Sequence, residues 1–435
     1  MHIFFSGIGG TGIGPLAMIA AQAGYEVSGS DKQDSQYIHY LRQHGVRHIT
    51  IGQTGAAIAA AHARLPIDWF VYTSALPIEQ PHSPELAFCA EHGIKTSKRD
   101  ELLNFILHEK HLKLIAVAGT HGKTTTTAMT VWAFQQLGVP VSYSIGAKTG
   151  FADMGHYAPG SAYFVYEADE YDRNFLSFTP YLAVVAGIDW DHPDIYPSRE
   201  DYNAAFRDFL QQSDSAVLWR DDADRLQLPD ESLRGYTVLD KDDAGISTQL
   251  QLAGLVNRQD AWLVAHALLR LTKQPLGTIL KHLNGFPGVS RRFEEIVPGL
   301  YSDYAHTPAK IRGALQLGRE VAGDNLVVVY EGLHNTRQHF IKLELEHLFD
   351  GVKRLYIVPS YLAREDETLP LLSPKDLHRL LSLETQQRAT PSTMDDTLAT
   401  AIRRHLQAGD AVLCLTAGGG GSLDEWLRAT FDAAA

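Results

Sequence analysis

A glycine-rich turn with one lysine and a row of hydroxyls follows an apolar run of the chain. The run Leu114–Ala118 leads directly into Gly119-Thr-His-Gly-Lys-Thr-Thr125. At a helix start, backbone N–H groups of such a turn can cradle phosphate oxygens, while the lysine neutralises charge and a threonine hydroxyl ligates Mg²⁺. We therefore predict a strand, a loop and a helix that bind ATP or GTP. The predicted contacts are Gly119, Thr120, His121, Gly122, Lys123, Thr124 and Thr125.

The spacing of this turn is shorter than that of the general phosphate loop. A glycine five residues before Gly122 would fall at Val117. The alternative interpretation is a helix cap rich in glycine and threonine, with a solvated lysine. A strand, glycines, Lys123 and Thr124 occur together in the order that the chemistry needs, which favours the nucleotide site.

Acidic side chains and a histidine follow two further predicted strands. Glu167-Ala-Asp-Glu-Tyr-Asp172 comes after Ala162–Tyr166, and Gly187-Ile-Asp-Trp-Asp-His192 comes after Leu182–Ala186. In a parallel sheet these carboxylates would lie near the phosphate loop, where they need a counter-charge. Mg²⁺ prefers carboxylate oxygens, so we predict Mg²⁺ bridged to ATP and a metal or catalytic role for His192. The alternatives are an acidic solvated loop and a structural histidine.

A second glycine-rich turn lies near the N-terminus. Gly7-Ile-Gly-Gly-Thr-Gly12 follows the apolar run His2–Ser6, and Asp31 ends the next predicted strand. This βαβ pattern places a pyrophosphate at a helix N-terminus and an acidic group near a ribose, so NAD(P) is the default ligand. Tight helix–strand packing is the alternative. Ser74 ends another predicted strand at the edge where ligands bind, although it could equally cap a turn.

Each of these turns follows a predicted strand, so sheets must position them. A chain of 435 residues exceeds what one hydrophobic core usually organises, so several domains are expected. We predict an α/β protein of three consecutive domains. They are a Rossmann-like domain (1–110), a central P-loop ATPase-like domain (111–294) and a Rossmann-like domain (295–435). A helix over Lys95–Leu107 is predicted to close the first domain, and Asp303 opens the third domain after the adjacent arginines Arg291 and Arg292.

The composition excludes several classes of protein. The 38 basic and 51 acidic residues give a formal charge of -13, which argues against a sequence-independent nucleic-acid binder. Only Cys89 and Cys414 are present, so neither a disulfide framework nor a structural zinc site is expected. Because no apolar run approaches the ~18 residues needed to span a bilayer, we expect no membrane association and a cytoplasmic location.

Five sequence blocks resemble those of the Mur ligase family, in the family's order and over nearly the whole chain. Mur ligases are ATP-dependent enzymes that add amino acids to UDP-N-acetylmuramic acid in peptidoglycan synthesis. The resemblance implies that the N-terminal turn holds the UDP of a sugar nucleotide rather than NAD(P). The blocks are Gly7-Ile-Gly-Gly-Thr-Gly12, Gly119-Thr-His-Gly-Lys-Thr-Thr125, Glu167-Ala-Asp-Glu170, Asp191-His192, and Arg291-Arg-Phe293 with Asp303-Tyr-Ala-His306.

The resemblance also implies roles for individual residues. Lys123 would contact the β- and γ-phosphates of ATP. Thr124 and Glu167 would hold one Mg²⁺, and His192 with Glu167 would hold a second. Arg292 and Asp303 would reach the nucleotide when the domains close. The residues implied against the uridine diphosphate are Gly9, Gly10, Thr11 and Gly12.

Two blocks depart from the family's usual sequence. Near the adenine the family has His-Asn-x-x-Asn-Ala, whereas this chain reads Val256-Asn-Arg-Gln-Asp-Ala261 and keeps Asn257. In alanine-adding members the third domain carries Pro-His-Arg-Tyr-x-Arg. The equivalent segment here is Gly332-Leu-His-Asn-Thr-Arg337, in which Arg337 alone stays in register.

The N-terminal and phosphate-loop blocks are most similar to those of members that add L-alanine. The expected reaction joins L-alanine to the lactyl carboxylate of UDP-N-acetylmuramate through an acyl phosphate. The alternatives are a murein tripeptide recycling ligase acting on the same sugar nucleotide, a small-molecule P-loop kinase and a non-catalytic sugar-nucleotide sensor. A monomer and a dimer are both compatible with the sequence.

Overall fold

The computed structural model describes residues 1–73, 76–192, 195–362, 365–418 and 420–431. Within these ranges the chain forms three α/β sheets in sequence order. The sheets are parallel except for one hairpin at an edge of the second sheet and one at an edge of the third. The prediction of three consecutive α/β domains is confirmed at this level, while the exact boundaries stay a prediction.

The first sheet has the strand order β3-β2-β1-β4-β5 and is entirely parallel. All five residues of β1 are buried, as expected for a strand covered by helices on both faces. Its elements are β1 (His2–Ser6), α1 (Gly14–Gln22), β2 (Glu26–Asp31), α2 (Gln36–Gln43), β3 (His48–Ile51), α3 (Gly55–Arg64), β4 (Trp69–Tyr72), α4 (Leu76–Glu79), α5 (Pro84–Glu91), β5 (Lys95–Lys98) and α6 (Arg99–Glu109).

The helix predicted over Lys95–Leu107 is wrong at its start. Lys95–Lys98 forms the edge strand β5, which pairs with β4, and the helix begins at Arg99. The strand buries Ser97 between the exposed Thr96 and Lys98, and the Trp69 indole nitrogen donates to the Ser97 hydroxyl at 2.8 Å. Pairing with a neighbouring strand thus overrides the helical tendency of this segment.

The second sheet has the order β12-β11-β10-β6-β9-β7-β8, with β6 at its centre. In register, Val117 of β6 pairs with Glu167 of β9, and Ala118 of β6 pairs with Val185 of β10. The loops that follow these strands therefore meet at one edge, as predicted. The elements are β6 (Lys113–Ala118), α7 (Lys123–Gln136), β7 (Ser142–Ser144), β8 (Gly155–His156), β9 (Tyr163–Glu167), a 3-10 helix (Tyr171–Ser177), β10 (Leu182–Val185), α8 (Arg199–Gln211), β11 (Ala216–Trp219), α9 (Arg220–Arg225), α10 (Asp230–Leu233), β12 (Thr237–Leu239), α11 (Ala244–Thr248), α12 (Leu255–Leu271) and α13 (Leu276–Leu283).

The third sheet has the order β13-β14-β18-β15-β16-β17. All eight residues of β15 are buried, and β18 lies between β14 and β15. The elements are β13 (Glu294–Val297), β14 (Leu300–Asp303), α14 (Pro308–Ala322), β15 (Leu326–Leu333), α15 (Asn335–Ile341), β16 (Arg354–Tyr361), α16 (Pro374–Arg379), α17 (Leu383–Arg388), β17 (Ala389–Pro391), α18 (Asp396–Gln407), β18 (Ala411–Leu415) and α19 (Leu423–Phe431), with 3-10 turns at Gly323–Asn325 and Lys342–Glu344.

The chain divides into two compact units. One comprises residues 1–246 and 260–286 and so contains the first two sheets; the other comprises 247–259 and 287–435 and contains the third. The helix α7 is buried over most of its length, including its row of threonines, because it packs against the second sheet. Among the described helices, none combines the length and apolar character that crossing a bilayer requires.

An aromatic cluster anchors the segment that follows Glu167. The Phe175 ring stacks on Phe209, with centroids 4.8 Å apart, and meets the edge of Phe206 at 5.1 Å. All three rings are fully buried. Just before this anchor, Asp172 and Arg173 adopt left-handed φ angles of 55° and 56°, which non-glycine residues rarely adopt. Packing of Phe175 therefore holds a strained segment in place.

We expect Phe175→Ala to lower the free energy of unfolding by about 3–5 kcal/mol, because it leaves a cavity among aromatic rings. Urea unfolding of the purified variant measures this loss. Phe340→Ala is the matched control: Phe340 is 56% exposed, and its truncation should change stability by less than about 0.5 kcal/mol. Equal effects of the two substitutions would contradict the anchoring role.

Candidate active site

The phosphate-binding loop joins β6 to α7 by two glycines with positive φ. Gly119 has φ 138° and Gly122 has φ 77°, where Gly122 is the N-cap of α7. A Cβ on Gly119 would lie 2.9 Å from the Gly187 oxygen, so only glycine allows the two backbones to approach this closely. No side chain caps the helix, which leaves its first amides for an anion.

Thr120 clamps this loop to the loop that follows β10. Its amide donates to the Gly187 carbonyl oxygen at 2.8 Å. Its hydroxyl donates to the Asp189 carbonyl oxygen at 2.5 Å and accepts the Asp189 amide at 2.8 Å. The Tyr202 hydroxyl is also 2.7 Å from it. The imidazole of His121 packs on Gly187, where any side chain would overlap the ring. Thr120 and His121 therefore fix the shape of the loop.

Lys123 forms a buried ion pair with Glu170. Its Nζ donates to Glu170 Oε2 at 2.5 Å and to the Gly119 oxygen at 2.7 Å. The Glu170 side chain is 1% exposed and the Lys123 side chain 15%. Burial lowers the pKa of Lys123, but attraction to Glu170 and to the nearby Asp169 and Glu167 raises it by more, so the lysine stays charged. A nucleotide phosphate would compete with Glu170 for this ammonium.

Thr124 is bonded to the carboxylate that ends β9. Its hydroxyl donates to Glu167 Oε1 at 2.8 Å, and Glu167 Oε2 accepts the Gly146 amide at 2.9 Å. A Cβ on Gly146 would collide with this carboxylate. The structure thus brings together Thr124 and Glu167, which were both predicted as metal ligands.

His192 lies beside Glu170. Its Nε2 is 3.7 Å from Glu170 Oε1 and 3.9 Å from Asp191 Oδ2. His192 has a left-handed φ of 56°, and its amide donates to Asp191 Oδ1 at 2.8 Å. The Tyr171 ring meets the imidazole edge-on. The carboxylates beside His192 are therefore those of Glu170 and of its chain neighbour Asp191, whereas the predicted pairing of His192 with Glu167 stays a prediction.

The site fits Mg²⁺ only as a cation that keeps much of its own hydration. Among the described residues, no three His, Cys, Asp or Glu side chains converge as a metal site. The adjacent oxygens of Thr124 and Glu167 suit Mg²⁺ nevertheless, because this ion is usually held by one or two protein groups, waters and phosphate oxygens.

Asp222 supports the loop that carries His192. Its Oδ1 accepts the Ile188 amide at 3.1 Å, while its buried Oδ2 has no hydrogen-bond partner within the described ranges. Burial raises the pKa of Asp222 to about 6, against the opposing attraction of Lys241. The native state therefore binds this proton more tightly than the unfolded chain does, and its stability falls as pH rises from about 4 to about 6.

We expect Asp222→Asn to stabilise the protein by about 1–3 kcal/mol at pH 8, because it keeps an acceptor for Ile188 and removes a buried charge. The gain should shrink towards zero as pH falls below about 5, where the wild-type carboxyl is protonated. Thermal unfolding across pH 4.5–8 measures the difference. Asp224→Asn, at an exposed position of the same helix, is the control; a gain independent of pH would argue against a buried charge.

A second buried carboxyl lies against the phosphate loop. Asp260 is 3% exposed, and a Cβ on Gly122 would lie 2.9 Å from its Oδ1. Burial raises the pKa of Asp260 well above its ordinary value. The altered adenine block thus brings its Asp260 to the back of the phosphate loop. Asn257 is in the other compact unit, where its side chain donates to the Ala253 oxygen, and its adenine contact stays a prediction.

The N-terminal glycine turn is closed by Asp31. The Gly9 amide donates to Asp31 Oδ2 at 2.7 Å, and a Cβ on Gly9 would lie 2.8 Å from the Ser35 hydroxyl. The Gly10 amide bonds to the Gly7 oxygen. Asp31 therefore shapes the turn, while its predicted substrate contact stays a prediction. Ser74 lies outside the described residues.

In the second compact unit, the predicted residues of the third domain meet around His306. Asp303 Oδ2 accepts the Phe293 amide at 2.8 Å; burial raises the pKa of Asp303 to about 6, and Arg292 opposes this rise. His306 is 7% exposed, and its pKa lies well below the ordinary value because of burial and of the nearby Lys310, Arg337 and Arg292. Lys310, Arg337 and Arg292 thus form a cationic cluster near His306, which suits an anionic ligand, and the Asp303 carboxyl lies near Arg292 and Lys310.

Comparison with known proteins identifies the family. Three family models match in sequence order: "Mur ligase family, catalytic domain" over residues 2–111, "Mur ligase middle domain" over 117–252, and "Mur ligase, glutamate ligase domain" over 291–418. The chain belongs to the Mur ligase family. As a Mur ligase it is an ATP-dependent enzyme that forms amide bonds.

Individual Mur ligases match over almost the full chain. The UDP-N-acetylmuramate--L-alanine ligase of Roseiflexus castenholzii is 31% identical over 97% of this chain and 95% of its own length. The structure of the UDP-N-acetylmuramate-alanine ligase of Thermotoga maritima aligns with TM-score 0.73 at 21% identity, covering 100% and 99% of the two chains. A murein peptide ligase of Psychrobacter arcticus aligns with TM-score 0.63 at 21% identity, covering 100% and 98%.

Three residues described above had no assigned role in the sequence-based prediction: Glu170 and Asp260 in the first compact unit, and His306 in the second. Glu170 and His306 stand inside recognised blocks, but their partners Lys123 and Arg337 are far away in sequence. Asp260 could have been suspected, because a carboxyl group replaces the family's asparagine in an otherwise apolar helix segment.

Proposed function

We propose that this Mur ligase joins L-alanine to the lactyl carboxylate of UDP-N-acetylmuramate, using ATP, in the cytoplasmic synthesis of peptidoglycan precursors. The observation that carries the proposal is the 31% identity to a UDP-N-acetylmuramate--L-alanine ligase over 97% of the chain. In the intact phosphate loop, Lys123 donates to Glu170 and the Thr124 hydroxyl donates to Glu167. This arrangement supports a working enzyme rather than a sugar-nucleotide sensor.

The proposed reaction has two steps. A lactyl carboxylate oxygen attacks the γ-phosphorus of ATP, the bond to the β-phosphate oxygen breaks, and an acyl phosphate and ADP form. The neutral amine of alanine then attacks the acyl carbon, phosphate leaves with the bond electrons, and the amine loses a proton as the amide forms. Such phosphoryl transfer depends mainly on positioning and on neutralising charge.

Groups at the edge of the second sheet, where α7 begins, supply this positioning and neutralisation of charge. The amides at the start of α7 and the Lys123 ammonium would bind the phosphates once Lys123 leaves Glu170. Mg²⁺ held beside Thr124 and Glu167 would supply further neutralisation of phosphate charge. The cationic cluster of Arg292, Lys310 and Arg337 around His306 supports binding of an anionic group, such as an amino-acid carboxylate, by the third domain.

A murein peptide ligase is the second candidate, favoured by the departure at Gly332–Arg337. There His334 lies 3.5 Å from Glu365, and the Thr336 amide donates to the same carboxylate at 2.9 Å. A carboxylate at this position is compatible with an amine substrate other than alanine. The murein peptide ligase of Psychrobacter arcticus shares the fold of this chain, which agrees with this second candidate.

We expect phosphate release from ATP and Mg²⁺ to require both UDP-N-acetylmuramate and L-alanine. A coupled phosphate assay that omits each component in turn measures this dependence. Turnover without any amine would favour the kinase interpretation, and a requirement for the tripeptide in place of alanine would favour the recycling ligase. The absence of turnover with any amine, despite binding of the sugar nucleotide, would favour the sensor.

We expect Lys123→Ala to lower turnover by about 10²–10³-fold or more, because it removes the cation at the transferred phosphate. Binding of the sugar nucleotide, measured by calorimetry, should stay within a few-fold of wild type. Lys113→Ala is the matched control, since Lys113 is exposed at the opposite end of β6.

Lys123→Ala also strips the buried Glu170 of its partner, which destabilises by about 3–5 kcal/mol in comparable pairs. The double variant Lys123→Ala/Glu170→Gln removes that unpaired charge. If the double variant recovers turnover, loss of folding rather than loss of the phosphate contact would explain the single variant.

A further inference from the structure

The N-terminal glycine turn keeps two amides unpaired. The amides of Gly9 and Gly10 are bonded to Asp31 and to the Gly7 oxygen. Within the described ranges, the exposed amides of Thr11 and Gly12, just before α1, have no hydrogen-bond acceptor. The turn therefore has two spare donors in the residues that lead into α1.

The Arg99 guanidinium lies against Gly12, one of the two residues that carry these donors. A Cβ on Gly12 would overlap Arg99 Nη1, and apart from the chain neighbours of Gly12 no other described residue has an atom within 4 Å of that position. The φ angle of Gly12 is not in the left-handed region, so the backbone alone does not require glycine here. A side chain at Gly12 would therefore have to displace the Arg99 guanidinium.

Arg99 occupies an unfavourable place for a cation. It is the first residue of α6, where the helix dipole disfavours positive charge. The guanidinium is half-buried, and nowhere in the described part of the chain does it find an ion pair or a hydrogen bond. Its neighbour Lys98 is, by contrast, paired with Asp172 at 3.2 Å. A costly, unpaired guanidinium is expected where a ligand supplies the missing anion.

We propose that Arg99 binds the diphosphate of the nucleotide substrate, together with the amides of Thr11 and Gly12. This inference rests on the proposed function, because it assumes that the turn holds a nucleoside diphosphate. A diphosphate offers oxygens in the planar arrangement that a guanidinium engages with two hydrogen bonds. Arg99 is then a substrate-binding residue that follows β5, outside the glycine motif itself.

The test measures binding of UDP and UMP by calorimetry to the wild-type protein and to Arg99→Ala, Arg99→Lys and Lys98→Ala. Arg99→Ala should weaken UDP binding by about 10–100-fold and UMP binding by less, because UMP lacks the second phosphate. Arg99→Lys should recover part of the loss, and Lys98→Ala should bind UDP within about twofold of wild type. ADP binding at the phosphate loop checks that each variant is folded.

A double-mutant cycle with Gly12 tests the contact itself. Gly12→Ala should weaken UDP binding because its methyl group displaces Arg99. In the Arg99→Ala background the same substitution should have little further effect, since the obstructing group is gone. Additive losses, in which Gly12→Ala weakens UDP binding as much in the Arg99→Ala background as in the wild-type protein, would overturn the contact.

The outcomes separate this inference from the proposed function. Unchanged UDP binding by Arg99→Ala would overturn the role of Arg99 and leave the UDP-sugar assignment standing. Failure of the wild-type protein to bind UDP would overturn both. Equal weakening of UDP and UMP would overturn recognition of the diphosphate.

Discussion

The buried ion pair between Lys123 and Glu170 is the interaction on which the site depends. Glu170 is almost fully buried, and a carboxylate in that position would be costly without the lysine. The same carboxylate lies near His192 and the Tyr202 hydroxyl, so one charge orders groups from the start of α7, from α8 and from the loop after β10. Before nucleotide binds, Lys123 is thus held at the phosphate loop by a group that a phosphate can replace.

The loops around this pair are fixed by close backbone approach rather than by long side chains. Gly119 and Gly187 approach so closely that a side chain on either would collide with the other loop. Thr120 and Asp222 then bond the amides and carbonyls of the loop after β10. Such rigid support is what transfer of a phosphoryl group requires, because the protein contributes mainly position and charge.

The departures of this chain from its family fall in the two segments that are expected to recognise the adenine and the amine substrate. Asp260 places a buried carboxyl behind the phosphate loop, and the segment at Gly332–Arg337 pairs His334 with Glu365 instead of offering a second arginine. The reaction class is preserved because Lys123, Thr124 and Glu167 are preserved. In the first domain, Arg99 is a cation outside the glycine motif. It lies against Gly12 of the turn that is expected to hold the sugar nucleotide.

The sequence by itself determined the α/β class, the phosphate loop, and which strand ends carry carboxylates, because glycine spacing and apolar runs act locally. The tertiary structure decided which distant groups meet: Glu170 beside Lys123 and His192, Asp260 beside Gly122, and Arg99 beside Gly12. It also turned Lys95–Lys98 into a strand, since pairing with β4 outweighs local preference. Contacts between segments far apart in the chain depend on sheet order and helix packing, which no local pattern encodes.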